Sequence, residues 1–387
     1  MVNKYCVIAE SDMRKHIIYR YFLFLSLVGL MQLTLSCSSS SNEIEPLKPE
    51  GEDTPLEKDE YTFMNVEYRK WQNGTFQAWT TADSRETRTI DNMNWYTPSS
   101  DYSRTAWGGR IGLQPSSVVG KEGFFRVASC GGRSYLLDPD NGAVIIHGIQ
   151  HVRPGESTAH KKAFGTRYGS EARWSEETGK LLADNHINYI SYGSNRIEVF
   201  PAAVRGNLLT PKTQKIAYAE NLYLLRTFMW DMSKNLGYAF DDDKYNRLVL
   251  LFEPTFATYI DRLVQEKSAL FAGDRHFIGF YLDNELPFAS YQGTGYANTE
   301  GGGWLVHTQK NRGEFYQNFC LRLLETRNCV GWVHFEYNDG YDSNGKASNK
   351  GVVSIEYEPY ESFLSQMRQL NLSVHSLIDY YDIKSVQ

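Results

Sequence analysis

The sequence is poor in cysteine, carries no excess of positive charge and has no apolar run long enough to span a bilayer. Five cysteines are spread over 387 residues, and two of them, Cys6 and Cys37, fall in the leader. Cys130, Cys320 and Cys329 remain, an odd number without a CxxC pair, which excludes a disulfide scaffold and supplies no metal framework. Cys320 and Cys329 read as small buried hydrophobes. A net charge of −6 leaves no concentrated basic face for nucleic acid. A membrane-spanning helix needs about 20 apolar residues, and no stretch supplies them. There is also no GxSxG elbow, no P-loop and no GxGxxG fingerprint. His147, His151 and His160 lack the spacing of an HExxH zinc motif. Serine-nucleophile, nucleotide-dependent and zinc chemistry are therefore unsupported, and no metal or cofactor is expected.

What the chain has in quantity is aromatic side chains: 8 Trp, 26 Tyr and 20 Phe. Such rings serve cores first, but a flat ring also covers the apolar face of a sugar. The first residues are addressing rather than fold. Lys15, His16 and Arg20 precede YFLFLSLVGLMQLTLSC, an apolar core of signal-peptide length, with Met13 the more ordinary start. Leu33-Thr34-Leu35-Ser36-Cys37 resembles a bacterial lipobox, with Cys37 as the acylated residue. Residues 1–36 are thus expected to be a signal peptide. Residues 37–60, polar, acidic and proline-containing, are expected to tether the protein to the outer membrane, facing outward. The competing reading is an ordinary cleaved signal that leaves Cys37 free.

Residues 61–123 read as short strands and loops. In FFRVASCGGRSYLL, Gly131-Gly132 separates two alternating runs, a hairpin signal, and Asp138-Pro139-Asp140-Asn141-Gly142 makes a second turn. Its acids imitate a calcium loop without the required ligand spacing. Strands then alternate with helices over 124–387. Strands are expected at 143–152, 187–194, 221–230, 277–282 and 329–339, and helices at 170–185, 245–273 (around a break at Pro254), 311–328 and from Glu358 to Asp382. That alternation means βα units and a parallel sheet, an α/β chain preceded by a small β-rich segment.

One stretch, HFIGFYLDNELPF at 276–288, climbs like a buried strand and stops at Asp283-Asn284-Glu285. In a (β/α)8 barrel, chemistry sits where the strands end. That DNEL block, together with GGRSYLLDPDNGAVIIHGIQHVRPG and NCVGWVHFEYND followed by NKGVVSIEYEPY, resembles the β-agarase-like glycoside hydrolases over roughly residues 124–375. The resemblance implies a (β/α)8-barrel retaining glycosidase acting on algal galactan. It implies Glu285 as general acid/base and Asn284 as a partner of the sugar 2-hydroxyl. It also makes His151, Trp304, Trp332, His334 and Tyr337 sugar-contact candidates. The surroundings suit the acid: a carboxyl among Leu286, Pro287 and Phe288 is in apolar company of the kind that raises a pKa.

The chain departs from that pattern in two places. Between Glu285 and the strand at 329 lie 43 residues, 286–328, where three more βα units would need about 90. Strands five to seven, and the strand-seven nucleophile, have no room. The barrel is expected to be incomplete, with the strands near 277–282 and 329–336 as new neighbours, and the nucleophile stays unidentified. Glu300 reads as a solvated loop residue and Glu336 as a mid-strand one. For an inverting route only Asp339 or Glu336 could be recruited from the last strand. The second departure is Val333-His334-Phe335 where such enzymes show His-Trp-Phe, which puts His334 where an aromatic platform belongs. Three readings follow. One is a galactan-directed glycosidase at the cell surface, with weak turnover or none. Another is a non-catalytic glycan-binding lipoprotein that uses Trp304, Trp332, Phe335 and Tyr337 for stacking. The last is an internally deleted product that does not fold stably.

Overall fold

The computed structural model describes residues 61–72, 75–99, 102–194, 202–236, 252–283, 304–341 and 347–384. The expected signal peptide and tether, with Cys37, Asn284, Glu285 and Glu300, lie outside the described residues. Strand Met64–Arg69 (β1) pairs antiparallel with Asp83–Thr87 (β2), and Val66 and Tyr68 alternate into the core. This segment leans on the C-terminal helices. The Tyr61 hydroxyl meets that of Tyr381, and the buried Arg88 guanidinium pairs with Glu325 at 2.6 Å.

A four-stranded antiparallel meander follows: Ser117–Val119 (β3), Arg126–Cys130 (β4), Arg133–Leu137 (β5) and Ala143–Val144 (β6). Gly131 and Gly132 take φ of +57° and +77° between Cys130 and Arg133, the two-residue turn expected of paired glycines. In the second turn Asp138 Oδ1 accepts from the amides of Asp140 and Gly142, each at 2.9 Å. Its other oxygen, Oδ2, accepts from the Thr105 hydroxyl, so the carboxylate is committed within the turn and its surroundings, and turn chemistry explains it.

One residue beyond β6 the chain enters the parallel sheet with Ile146–Ile149 (β7). Helices Thr158–Arg167 (α1) and Glu171–Asp184 (α2) lead to Tyr189–Ile190 (β8), and Ala202–Leu209 (α3) leads to Ala217–Asn221 (β9). Leu224–Leu236 (α4) and Phe256–Phe271 (α5) precede Phe277–Tyr281 (β10). Leu305–Val306 (β11) returns to pair with β1, and Gln309–Glu325 (α6) feeds Gly331–His334 (β12). Glu361–Lys384 (α7) closes the chain. The order across the sheet is β10-β9-β8-β7-β12, and every pairing is parallel.

Alternation along these strands, broken at Ile278 by an irregularity in the β9–β10 register, sorts the core into two faces. Ile149, Ile190, Tyr218 and Phe280 pack outward with Trp174, Leu182 and other helix residues. Ile146, Tyr189, Ala217, Ala219 and Ile278 pack inward against Trp107, Phe125, Leu136 and Val144. The meander therefore plugs the amino ends of the strands, and the carboxyl ends carry the partly exposed Val333 and Phe335.

Three expectations need correction. The strand read at 221–230 is strand only to Asn221. Asn221 Oδ1 accepts from the Tyr223 amide at 2.8 Å, Tyr223 turns the chain at φ +47°, and Leu225, Phe228 and Met229 then bury one helical face of α4. Strands β10 and β12 do not become neighbours; they are opposite edges of the described sheet. Glu336 is not mid-strand either, since β12 ends at His334.

Candidate functional site

Five parallel strands deliver their carboxyl ends to one side of the sheet, where barrel architectures carry chemistry. From the end of β7 comes His151, at φ +56°, and from beyond β12 come Phe335 and Glu336. The ladder between these strands runs on past their ends. Gln150 N–H donates to His334 O and Tyr337 N–H to Gln150 O, each at 3.0 Å. That continuation sets His151 beside Glu336, and Nδ1 donates to Oε2 across 2.9 Å. The Phe335 ring is 44% exposed, meets the imidazole edge-on at 4.9 Å and has Lys350 Nζ 5.6 Å from its centroid.

Strands β8 and β10, with the residues just past β8, add a cluster of tyrosines. Tyr281 and Tyr189 share a hydroxyl bond of 3.1 Å, Ser191 Oγ reaches Tyr281 at 3.4 Å, and Tyr192 lies 4.6 Å from Tyr281 ring to ring. Burial holds the Tyr189 phenol well above its ordinary pKa, so it stays a neutral donor. Gly148 lets the inner face close up here, because a Cβ would lie 2.5 Å from the Tyr189 ring and 3.1 Å from Val333. Sequence reasoning missed these tyrosines. Their signal, hydroxyl-bearing residues at strand ends, was present but shared by many residues of a tyrosine-rich chain.

Asp283 explains part of the polar strand end. Its Oδ2 accepts from the Leu225 amide at 2.9 Å, at the first turn of α4. This acid caps a helix, so the run Asp283-Asn284-Glu285 is structural at its first position. Asn284 and Glu285 follow directly and lie outside the described residues.

The remaining candidates do not gather at this place. Tyr337 is fully buried, its hydroxyl 3.0 Å from Thr178 Oγ1, which makes it core. Trp332 is 6% exposed and donates from Nε1 to Tyr316 Oη at 2.6 Å, facing α6. Neither ring offers a face to a sugar. His334 points the same way, with Nε2 2.9 Å from the Lys350 carbonyl and its ring against Phe363. Desolvation, helped by the Arg312 guanidinium, lowers its pKa to about 3 and keeps it neutral. His334 therefore presents no free ring face at the strand ends, whereas Phe335, one residue on, is exposed there. Trp304 stacks on Tyr68 at 4.1 Å with the Arg85 guanidinium 5.2 Å from its ring, and so belongs to the N-terminal sheet. Asp339 is committed as well, accepting from Gly351 N, Asn349 Nδ2 and Tyr360 Oη. Among the described residues no group of three His, Cys, Asp or Glu side chains is placed to hold a metal ion.

No family model and no curated protein matches the chain. Solved structures do. BpGH50 superposes with a TM-score of 0.67 at 18% identity, covering 83% of this chain and 96% of that one. An agarase, AgWH50C, gives 0.45 at 13% identity over 73% of this chain and 67% of its own. An exo-β-agarase gives 0.40 at 11% identity over 72% of this chain and 69% of its own. At such identities the likeness is one of fold, and only the first superposition is close enough to carry it.

Proposed function

We propose that the chain is a glycoside hydrolase acting on an agarose- or porphyran-like galactan, held at the bacterial cell surface by a lipid on Cys37, with Glu285 as general acid/base. The observation that carries this reading is the convergence of an exposed ring, a carboxylate–imidazole pair and a tyrosine cluster on the carboxyl side of five parallel strands. A sugar needs just that mixture of stacking surface and hydrogen-bonding groups. The likeness in fold to BpGH50, and the DNEL block two residues beyond β10, support the same assignment. The barrel in this reading lacks strands five to seven. The span from Asp283 to Gly331 includes the whole of α6, and its remainder is too short for three βα units.

The test is purified protein incubated with agarose, porphyran and a panel of aryl galactosides. Release of reducing sugar that falls by about 10²–10⁴-fold in Glu285→Gln is expected, the usual contribution of acid/base catalysis. In cells, Cys37→Ala should leave the membrane fraction. Saturable oligosaccharide binding without turnover would replace the hydrolase reading with the glycan-binding one.

A further inference from the structure

The small N-terminal sheet carries a large indole at its surface. Trp304, the residue before β11, lies on the buried Tyr68, ring to ring at 4.1 Å with 25° between the planes. Phe315 of α6 meets the indole edge-on at 5.7 Å. Trp304 nevertheless stays 45% exposed. A core residue would be covered, whereas this ring is backed by a second and braced by a third while still facing solvent. Held in that way, it loses little side-chain freedom when a ligand settles on it.

The charge beside it is uncommitted. Arg85 stands opposite Val66 in the β1–β2 register, so it shares the face of Val66 and Tyr68, and its guanidinium lies 5.2 Å from the indole centroid. That side chain is exposed, with no carboxylate or hydrogen-bond partner among the described residues. Its neighbours are engaged elsewhere. Lys70 pairs with Asp83 at 3.4 Å and Arg88 with Glu325 at 2.6 Å, while Arg69 lies against the Trp79 and Phe76 rings. A guanidinium resting on a ring keeps its N–H edge free, and that planar fork suits an oxyanion taken through two hydrogen bonds at once. An exposed ring beside such a fork fits a sugar that carries a sulfate ester, with its apolar face on the indole and its sulfate on the guanidinium.

We infer that Trp304 and Arg85 form a second glycan-binding surface, apart from the strand-end site, for a sulfated stretch of galactan. The ligand class rests on the galactan reading above; the surface itself needs neither Glu285 nor cleavage. A polymer that reaches both places is held more tightly than either place alone would hold it, because the second contact forms within one complex. The surface therefore favours porphyran-like chains over neutral agarose. It also gives Trp304 a role away from the strand ends.

The test is calorimetric titration of the full chain with sulfated oligosaccharides from porphyran, the same oligosaccharides after desulfation, and neutral agarose oligosaccharides. The sulfated ligand should bind more tightly than its desulfated form, by a margin that shrinks as salt screens the contact. Arg85→Gln should lower affinity for the sulfated ligand by about tenfold and change that for the neutral one by less than about twofold. Arg85→Lys should keep part of the margin. Trp304→Ala should lose at least as much on the sulfated ligand, and the exposed Arg85 supplies the variant that a folding defect cannot imitate. In Phe335→Ala, which removes the exposed ring at the strand ends, the effect of Arg85→Gln should persist. Equal affinity for sulfated and desulfated ligand, an Arg85→Gln variant within about twofold of the parent on the sulfated one, or loss of the Arg85 effect in Phe335→Ala would overturn the inference. Binding of the neutral oligosaccharide would then leave the galactan reading standing. Failure of every galactan to bind would overturn that reading, and this inference with it.

Discussion

Aromatic residues only a few positions apart divide sharply between core and surface. Trp332, Phe335 and Tyr337 share one motif, yet only Phe335 presents its ring to solvent. Removing a buried Trp costs about 3–5 kcal/mol through lost burial and the cavity left behind. Trp332→Ala is therefore expected to lower the melting temperature strongly, and Trp332→Phe to restore most of it. Phe335→Ala should change stability by less than about 1 kcal/mol and weaken oligosaccharide binding, read by isothermal calorimetry. Equal loss of sugar affinity in Trp332→Phe would contradict this division. The motif was legible in the sequence, but the side on which each residue falls was not. Strict alternation from Trp332 places Glu336 within a strand, and the chain leaves strand geometry after His334.

At the scale of elements, the alternation of strands and helices was legible from hydrophobic period, and α2, α6, α7, β7 and β10 lie where that period puts them. The failure at 221–230 has a local cause. Leu224, Leu225, Phe228 and Met229 fit a short apolar strand as well as one face of a helix, and the arbiter is a carboxylate from far along the chain. Asp283 supplies a cap to the Leu225 amide. Asp283→Ala should cost about 0.5–2 kcal/mol, the usual range for a lost cap, and Asp283→Asn much less. Hydrogen exchange localised to the amides of α4 would check it, and uniform protection across the molecule would refute it. Because Asp283 stands two residues before Glu285, loosening α4 should also depress any galactosidase activity.

Across the whole molecule, buried neutral imidazoles tie stability to pH. His147 and His375 are 4% and 1% exposed, and desolvation lowers their pKa values to about 3 and about 4. The unfolded chain takes up these protons near pH 6.5, before the folded chain does, so stability is full above that pH and declines as the pH falls toward the folded values. At pH 5 each site should cost about 2 kcal/mol. Denaturant midpoints measured from pH 7.5 to pH 5 should fall, and His375→Gln should flatten the slope. A midpoint that holds steady over that range would exclude the effect.

The pairing of β7 with β12 also bears on how the protein is made. His151 and Glu336, just past the ends of those two strands, are separated by 185 residues of chain. A ribosome adding about 5–20 residues per second needs on the order of ten to forty seconds to cover that distance. Throughout that time the nascent β7 offers one uncovered edge, and neighbouring chains on a polysome carry the same edge. Such edges invite pairing between chains. Slow elongation, or a ribosome stalled before Gly331, would therefore favour association between unfinished copies over completion of the sheet within one.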